Sequence, residues 1–152
     1  MADENLAAVV NHAGGSYPVV AGWGILDDLG RRLVDLGLKG PAYIITDTNV
    51  MNPYGRQAQL ALQKYDIAAH IFIIPAGETS KSFSLVQSIY DWLVERRAER
   101  GHPIIAVGGG VVGDLAGFVA ATFLRGVPFV QVPTSMAAMV DASIGGKVAV
   151  NL

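Results

Sequence analysis

Apolar and polar residues alternate along the chain in blocks that predict a repeating order of strand and helix. Short apolar runs typical of buried strands occupy residues 16–23, 41–47, 67–75, 102–107 and 127–133. Apolar residues recur every three or four positions, as in amphipathic helices, at 24–40, 50–66, 80–101 and 111–126. Such alternation predicts an α/β fold: a doubly wound, mostly parallel sheet of the Rossmann-like kind, with helices on both faces.

Local residues set the expected ends of these helices. Gly37 and Gly40 are expected to end the first helix. The turn at Asn52–Pro53 precedes the second helix, since proline is favoured at a first helical position. Either Thr79 or Ser80 is expected to cap the third helix, because a hydroxyl can accept a hydrogen bond from a free backbone N–H there.

Length and composition limit the classes of protein to consider. A chain of 152 residues is about the size of one domain, so we expect a single domain over 1–152. There are no cysteines, which excludes disulfides and thiolate metal sites and favours a cytoplasmic location. The net charge of −2 provides no basic surface for nucleic acid. Asp3 and Glu4 stand where a secretion signal would carry positive charge, so no secretion is expected.

Neither a membrane span nor a metal site is expected within this chain. In the apolar stretch 103–123, Asp114 and the following Arg125 bracket only ten residues, about half the length that a spanning helix needs. His12, His70 and His102 are scattered, without a second ligand at the spacing of a zinc site. We therefore predict no membrane partner and no metal ligands here.

The same apolar stretch contains a candidate phosphate site. Gly108, Gly110 and Gly113 satisfy the pattern G-x-G-x-x-G, between a predicted strand and a predicted helix. Glycines let a backbone approach a diphosphate, while the amino end of the helix supplies free N–H groups and a positive dipole. The alternative is that these glycines only allow a strand and a helix to pack closely. The pattern alone leaves both interpretations open.

Polar residues also follow the other predicted strands. Asp47 and Asn49 end one strand, although a carboxylate there also suits simple helix capping. Because parallel strands end at one edge of a sheet, these clusters predict a single ligand-binding edge. The remaining clusters are Gly77, Glu78 and Lys81 after the next strand, and Thr134, Ser135, Asp141 and Lys147 after the last.

Three segments together resemble a known family. "PAGETSKS", "AVGGGVVGDLAGFVAATFLRGVPFVQVPTS" and "MVDASIGGK" occur in the order and spacing of the N-terminal domain of the 3-dehydroquinate synthase family, which belongs to the sugar-phosphate cyclases. The likeness runs from about Pro18 to the end of the chain and is densest after Pro75. It implies that this chain is the NAD-binding domain and that a helical C-terminal domain is absent from it.

The resemblance implies an NAD-dependent and metal-dependent lyase. Its substrate is 3-deoxy-D-arabino-heptulosonate 7-phosphate and its products are 3-dehydroquinate and phosphate, in the shikimate pathway to aromatic amino acids. The metal, zinc or cobalt, is held by residues of the C-terminal domain, so this chain alone is expected to be inactive. The full-length protein is expected to be a homodimer.

The resemblance also assigns roles to individual residues. Asp141 and Lys147 are implied as catalytic, and Arg125 and Lys147 as substrate-binding, with Arg125 reaching the substrate phosphate of a neighbouring subunit. The implied NAD-binding residues are Asp47, Asn49, Gly77, Glu78, Lys81, Gly109, Gly110, Val111, Val112, Gly113, Asp114, Thr134, Ser135, Asp141 and Lys147.

The chain departs from the family pattern at two positions, and other functions remain open. Ser135 replaces a frequent threonine and keeps its hydroxyl, whereas Val148 replaces the usual threonine after the G-G-K lysine and loses it. One alternative is another cyclase such as 2-deoxy-scyllo-inosose synthase, or a related polyol dehydrogenase. Another is a non-catalytic NAD-binding module.

Overall fold

A computed structural model of the chain describes residues 4–38 and 40–151. Asp3, one of the two acidic residues used above, and Lys39, within the first predicted helix, lie outside these residues. The strands are β1 (Leu6–His12), β2 (Gly15–Val20), β3 (Ala42–Asp47), β4 (Ala69–Ile74), β5 (Ile104–Gly108) and β6 (Phe129–Pro133). The helices are α1 (Leu29–Asp35), α2 (Arg56–Gln63), α3 (Phe83–Glu95) and α4 (Gly110–Thr122).

A four-stranded parallel sheet in the order β4-β3-β5-β6 forms the centre of the fold. The register places Asp47 opposite Ile74, and Gly108 opposite Pro133, so the strands end nearly level. Strands β3 and β5 are buried along almost their whole length, as expected where helices cover both faces of a sheet. The predicted doubly wound α/β fold is confirmed.

Alternate residues of the central strands feed two separate cores. Tyr43 and Ile45 point to one face of β3, where the buried side chains of α3 and α4 pack. Ile44 points to the other face, where α1 and α2 supply Leu29 and Leu62. The two cores fix the helices on opposite sides of the sheet and leave its carboxyl edge uncovered by either pair.

The first predicted strand forms, but it does not belong to the main sheet. Residues 16–23 were expected to open the series of parallel strands, but Gly15–Val20 instead pairs antiparallel with Leu6–His12, in a hairpin separate from the main sheet. The two strands are mostly exposed. Pairing with a strand that is close in sequence has a low entropic cost of loop closure. Apolar periodicity does not reveal which strand will be the partner.

Several helices are shorter than their patterns suggest. The first is a 3₁₀ turn, Ile25–Asp28, followed by α1, which ends before Gly37 at φ +71°. The second begins after a π-helical turn, Met51–Gly55, that contains the expected proline. Neither Thr79 nor Ser80 caps α3; the cap is Ser82, whose hydroxyl accepts a hydrogen bond from the backbone N–H of Leu85.

Helix α4 also ends earlier than predicted. A 3₁₀ turn, Phe123–Arg125, follows it, with Leu124 and Arg125 at positive φ. These left-handed conformations stop the α-helix four residues before the predicted end at 126. Within the part of the chain that the structure describes, no helix combines the length and apolar character that crossing a membrane requires.

Strand β5 and helix α4 approach closely because Gly108 lacks a side chain. A Cβ atom at Gly108 would lie 2.5 Å from Cβ of Val112, inside the first turn of α4. Gly108 and Val112 are both fully buried in the structure. The packing interpretation is therefore sufficient for the first glycine of the pattern.

Gly108→Ala should destabilise the fold, whereas Gly110→Ala should not. Forcing a methyl group against Val112 costs about 1–3 kcal/mol of unfolding free energy, as overpacking does elsewhere. At Gly110 the new Cβ would meet only Cβ of Ala142, at 3.8 Å, an ordinary contact. Urea unfolding of the two variants measures the difference; equal stabilities would show that the β5–α4 contact is not tight.

Candidate functional site

The carboxyl ends of the parallel strands form a crevice at the point where the strand order reverses. Strands β3 and β5 are neighbours, and the chain continues from them to opposite sides of the sheet, to β4 and to β6. In open α/β sheets, ligands bind outside the carboxyl ends at such a switch point. The last residues there are Asp47 of β3 and Gly108 of β5.

Asp47 shapes the turn that leaves β3. Its Oδ1 accepts hydrogen bonds from the backbone N–H groups of Asn49, at 2.8 Å, and Val50, at 3.1 Å. These bonds close the turn over residues 48–50; the N-cap of the following helical turn is Val50, without a side-chain cap, so Asp47 does not itself cap that helix. Oδ2 accepts no hydrogen bond from the described residues, so this oxygen can also accept one from a ligand. Asn49 is exposed beside it.

The start of α4 borders the crevice and is half-buried. Gly109, at the N-cap, would place a Cβ 3.3 Å from Oγ of Ser135, and Gly110 would meet only Ala142. Gly113 differs, because its Cβ would lie 2.7 Å from Oε1 of Gln131. Gly110 therefore has room beside its backbone and Gly109 lies close to Ser135, whereas Gly108 and Gly113 lie tightly against Val112 and Gln131.

Val111 and Val112, two of the predicted NAD-binding residues, do not present polar side chains to the crevice. The side chain of Val112 is fully buried in the core beneath α4, so it cannot line the crevice. Val111 is half-buried. Only the backbone N–H groups of these two residues suit a phosphate, since the first N–H groups of an α-helix have no acceptor within it.

A chain of three charged side chains crosses from the loop after β4 to α4. Nζ of Lys81 lies 2.8 Å from Oδ2 of Asp114 and 3.3 Å from Oε1 of Glu78. The side chain of Lys81 is only 13% exposed, whereas those of Asp114 and Glu78 are 26% and 63% exposed. The pairing places a compensating positive charge beside Asp114, whose carboxylate would otherwise repel a diphosphate.

The pKa values of this group follow from its contacts. The hydrogen bond to Asp114 raises the pKa of Lys81 above its ordinary 10.5, against the opposing effect of desolvation. The pKa of Glu78 is lowered, first by a hydrogen bond from Asn151 and then by one from Lys81. Both shifts favour the charged forms at neutral pH.

Asp114 also lines a cavity of about 210 Å³ with Asp141 and Lys147. Ala142 and Ile144 complete the lining. Asp141 belongs to a π-helical turn, Ala138–Ala142, and Lys147 to the irregular segment after it. The structure therefore brings together two aspartates and one lysine that lie up to 33 positions apart in the sequence.

Of the other predicted site residues, three lie at the carboxyl edge of the sheet and one at the opposite edge. Thr134 follows β6, and its N–H donates to the carbonyl of Gly108, while Oγ of Ser135 accepts from the N–H of Ala138. Gly77, at φ +114°, starts the turn after β4. Arg125 lies beyond the far end of α4, about 20 Å along the helix axis from the crevice, and is not part of this site.

Sequence reasoning missed two residues that brace the site. The N–H of Asn151 donates to the carbonyl of Lys81, and its Nδ2 donates to Oε1 of Glu78 at 3.1 Å. The hydroxyl of Thr48 accepts from the N–H of Ala76, which joins the turns after β3 and β4. Asn151 carries no local signal, because its partners lie about 70 positions earlier in the chain.

The described residues contain no group of three histidine, aspartate or glutamate side chains that could hold a metal ion. His12 lies in the hairpin, while His70 and His102 flank Tyr43, at ring-centroid separations of 5.4 Å and 6.2 Å. The location of any metal ligands outside this chain stays a prediction.

Comparison with known proteins identifies the family. The profile described as 3-dehydroquinate synthase N-terminal matches residues 71–152, more than half of the chain. The chain belongs to the 3-dehydroquinate synthase family. A curated 3-dehydroquinate synthase of Symbiobacterium thermophilum is 49% identical over 139 residues, which is 90% of this chain and 38% of that protein. The chain therefore spans about two fifths of the length of such relatives.

Solved structures of the sugar-phosphate cyclases share the fold of this family member. A 2-deoxy-scyllo-inosose synthase in complex with carbaglucose-6-phosphate, NAD⁺ and Co²⁺ matches 95% of this chain and 39% of its own, at 27% identity and a TM-score of 0.88. A 2-epi-5-epi-valiolone synthase from Streptomyces hygroscopicus with bound NAD⁺ and Zn²⁺ matches 82% and 35%, at 32% identity and a TM-score of 0.72.

The Lys81–Asp114 pair should contribute to stability only while Lys81 is protonated. Because its pKa is raised on folding, the contribution is complete below the ordinary lysine value of 10.5 and is lost as the pH rises through the folded-state pKa. A double-mutant cycle of Lys81→Met and Asp114→Asn, measured by urea unfolding, should give about 1 kcal/mol of coupling at pH 8.

The coupling should fall towards zero at a pH well above 10.5. The exposed pair Arg31 and Asp35 is the control, and its cycle should give a smaller coupling. Absence of coupling at pH 8, or coupling that increases with pH, would contradict the assignment.

Proposed function

We propose that this chain is the NAD-binding part of a 3-dehydroquinate synthase, which converts 3-deoxy-D-arabino-heptulosonate 7-phosphate to 3-dehydroquinate and phosphate for aromatic amino-acid biosynthesis. One observation carries the proposal: at the switch point of the sheet, Gly110 starts a helix, and a Cβ there would meet only Ala142, at 3.8 Å. The 49% identity to a curated 3-dehydroquinate synthase supports this activity more strongly than the 27% identity to a 2-deoxy-scyllo-inosose synthase.

The described residues fit the diphosphate of NAD. A ligand can approach the backbone at Gly110 without displacing a side chain. The free N–H groups of the first turn and the positive end of the helix dipole favour an anion there. The Lys81 ammonium offsets the Asp114 carboxylate nearby. The diphosphate accordingly lies over residues 109–113, with the hydroxyls of Thr134 and Ser135 beside it.

The adenosine end of NAD is assigned to the turns after β3 and β4. The uncommitted oxygen of Asp47 accepts hydrogen bonds from a ribose hydroxyl, with Asn49 adjacent. Gly77 opens the second turn, and Glu78 and Lys81 follow it as ribose and phosphate contacts. These two turns are already joined by the hydrogen bond between Thr48 and Ala76, so they form one surface.

The nicotinamide and the substrate are assigned to the cavity of Asp114, Asp141 and Lys147. NAD would supply a reversible hydride acceptor: removing a hydride from the carbon that bears one substrate hydroxyl would give a ketone, which acidifies the C–H of the neighbouring carbon until the hydride is returned. Asp114 and Asp141 accept hydrogen bonds from the carboxamide or from hydroxyl groups. Lys147 is exposed, so its ammonium can attract the charged groups of the substrate and hold a proton close to them.

The rest of the enzyme is proposed to lie in the part of the relatives that this chain does not span. A helical C-terminal domain there supplies the ligands for zinc or cobalt, so residues 1–152 alone are inactive. Arg125, at the opposite edge of the sheet, serves the substrate phosphate of a neighbouring subunit in a homodimer. The protein is cytoplasmic and binds neither nucleic acid nor membranes.

Gly110→Val should weaken NAD binding by at least about tenfold, because a branched side chain occupies the space needed for backbone contact with phosphate. Isothermal titration calorimetry of this chain with NAD measures the loss. Gly101→Val is the matched control, since a Cβ at Gly101 meets no atom within 4 Å and lies in the loop before β5, at the opposite edge. Unchanged affinity in a folded Gly110→Val variant would remove Gly110 from the phosphate site.

Asp47→Asn should reduce the preference for NAD over NADP by about tenfold, because it removes the charge that repels a 2′-phosphate. Asparagine keeps an Oδ1 atom for the N–H groups of Asn49 and Val50, so the turn should survive. Competition titrations with the two dinucleotides give the ratio. A ratio equal to that of the unchanged chain would remove Asp47 from the ribose site.

A further inference from the structure

Two glycines without side-chain contacts precede Lys147 in its segment. Gly145 adopts a positive φ of +92°, and a Cβ at Gly145 or Gly146 would meet no atom within 4 Å. Paired glycines have wide conformational freedom, and fixing them requires specific contacts. The position of Lys147 relative to the cavity thus depends on where this backbone is anchored.

Two anchors lie at the ends of the segment. On the amino side, Nε2 of Gln131 in β6 donates to the carbonyl of Ser143 at 3.3 Å. On the carboxyl side, Val148 packs against Gly117 of α4, so closely that a Cβ at Gly117 would overlap it. Between these anchors, the described residues offer the backbone of Gly145 a single hydrogen-bond acceptor, and it comes from the hairpin.

That acceptor is the hydroxyl of Tyr17. The N–H of Gly145 donates to it at 2.8 Å, across 128 positions of sequence. Tyr17 lies in β2 opposite Val10 and is half-buried between exposed neighbours. Its ring contacts His12 of the same hairpin, at a centroid separation of 6.1 Å. The hairpin is separate from the main sheet, and this bond joins the hairpin to the segment after β6 that contains Lys147.

We propose that Tyr17 is a positioning residue, whose hydroxyl fixes the Gly145–Lys147 backbone and thereby holds Lys147 at the cavity. The expected effect of Tyr17 on ligand binding rests on the proposed function, which assigns the nicotinamide and the substrate to this cavity. It also gives the β1–β2 hairpin, which adds no strand to the sheet, a role in the site. Tyr17 itself does not line the cavity.

Tyr17→Phe isolates the hydroxyl, because the variant keeps the aromatic ring against His12. Tyr65→Phe is the matched control. Tyr65 lies just after α2, its ring packs close to Gly30, and its hydroxyl bonds to no other described residue. Helix α2 ends at the amino edge of the sheet, away from the cavity. Both variants are made in the full chain of 152 residues.

The first measurement is hydrogen–deuterium exchange of individual amides, without any ligand. In Tyr17→Phe the amide of Gly145 should exchange about fivefold faster, since it loses an acceptor of ordinary strength. Amides of β5 and of the hairpin ladder should exchange as before. Unchanged exchange at Gly145, or faster exchange throughout the chain, would overturn the proposal.

The second measurement compares the affinities for NAD and ADP-ribose, which lacks the nicotinamide. Tyr17→Phe should weaken NAD binding about fivefold and leave ADP-ribose binding unchanged, a split that general loss of structure does not produce. Equal weakening of both ligands, or no change for NAD, would overturn the positioning role. If the unsubstituted chain binds neither nucleotide, the proposed function fails, while the exchange of Gly145 still decides whether Tyr17 anchors the loop.

Discussion

The absence of a side chain at Gly108 determines the geometry on which the other features of the site depend. It lets the first turn of α4 pack directly against the end of β5, with Val112 in contact. The amino end of α4 consequently opens at the switch point of the sheet, beside Asp47. Gly113 and Gly117 then admit Gln131 and Val148, so the segment after β6 can lie along α4 and bring Asp141 and Lys147 to the same crevice.

One consequence of this geometry is that an acid lies within the first turns of the helix whose amino end we propose as the diphosphate site. Asp114 is tolerated there because Lys81 reaches it from the loop after β4. Asn151 in turn fixes Glu78 and the backbone at Lys81. The arrangement joins the turn after β4, helix α4 and the end of the described chain, so ligand contacts assigned to different segments are mechanically connected.

Apolar periodicity was sufficient to predict the parallel sheet, its helical layers and the edge at which polar residues collect. These features depend on the character of whole segments, such as the buried strands 41–47 and 102–107. The fate of residues 16–23 was not predictable in this way, because an exposed hairpin strand and a sheet strand have similar apolar content. Helix ends were missed where they depended on backbone conformations, as at Leu124 and Arg125.

The sheet edge at which the site residues collect was predicted from the strand ends, but the contacts between them were not. Asp114 and Lys81 are 33 positions apart, and Gly145 and Tyr17 are 128 apart, so only the folded chain reveals that each pair is in contact. The glycine pattern also could not assign a role to each glycine. The space around each Cβ position separates Gly108 and Gly113, where a Cβ would lie 2.5 Å and 2.7 Å from a neighbouring side chain, from Gly110, where it would meet only Ala142 at 3.8 Å.

The central claim is that the open turn at Gly109 and Gly110 receives a dinucleotide diphosphate. Titration of the ¹⁵N-labelled chain with NAD, followed by NMR of the backbone amides, tests it most directly. The account predicts that the largest shifts occur at Gly109, Gly110 and Val111, with smaller ones at Asn49 and Gly77. Shifts concentrated elsewhere, for instance along the exposed groove between α3 and α4, with the turn unaffected, would contradict it.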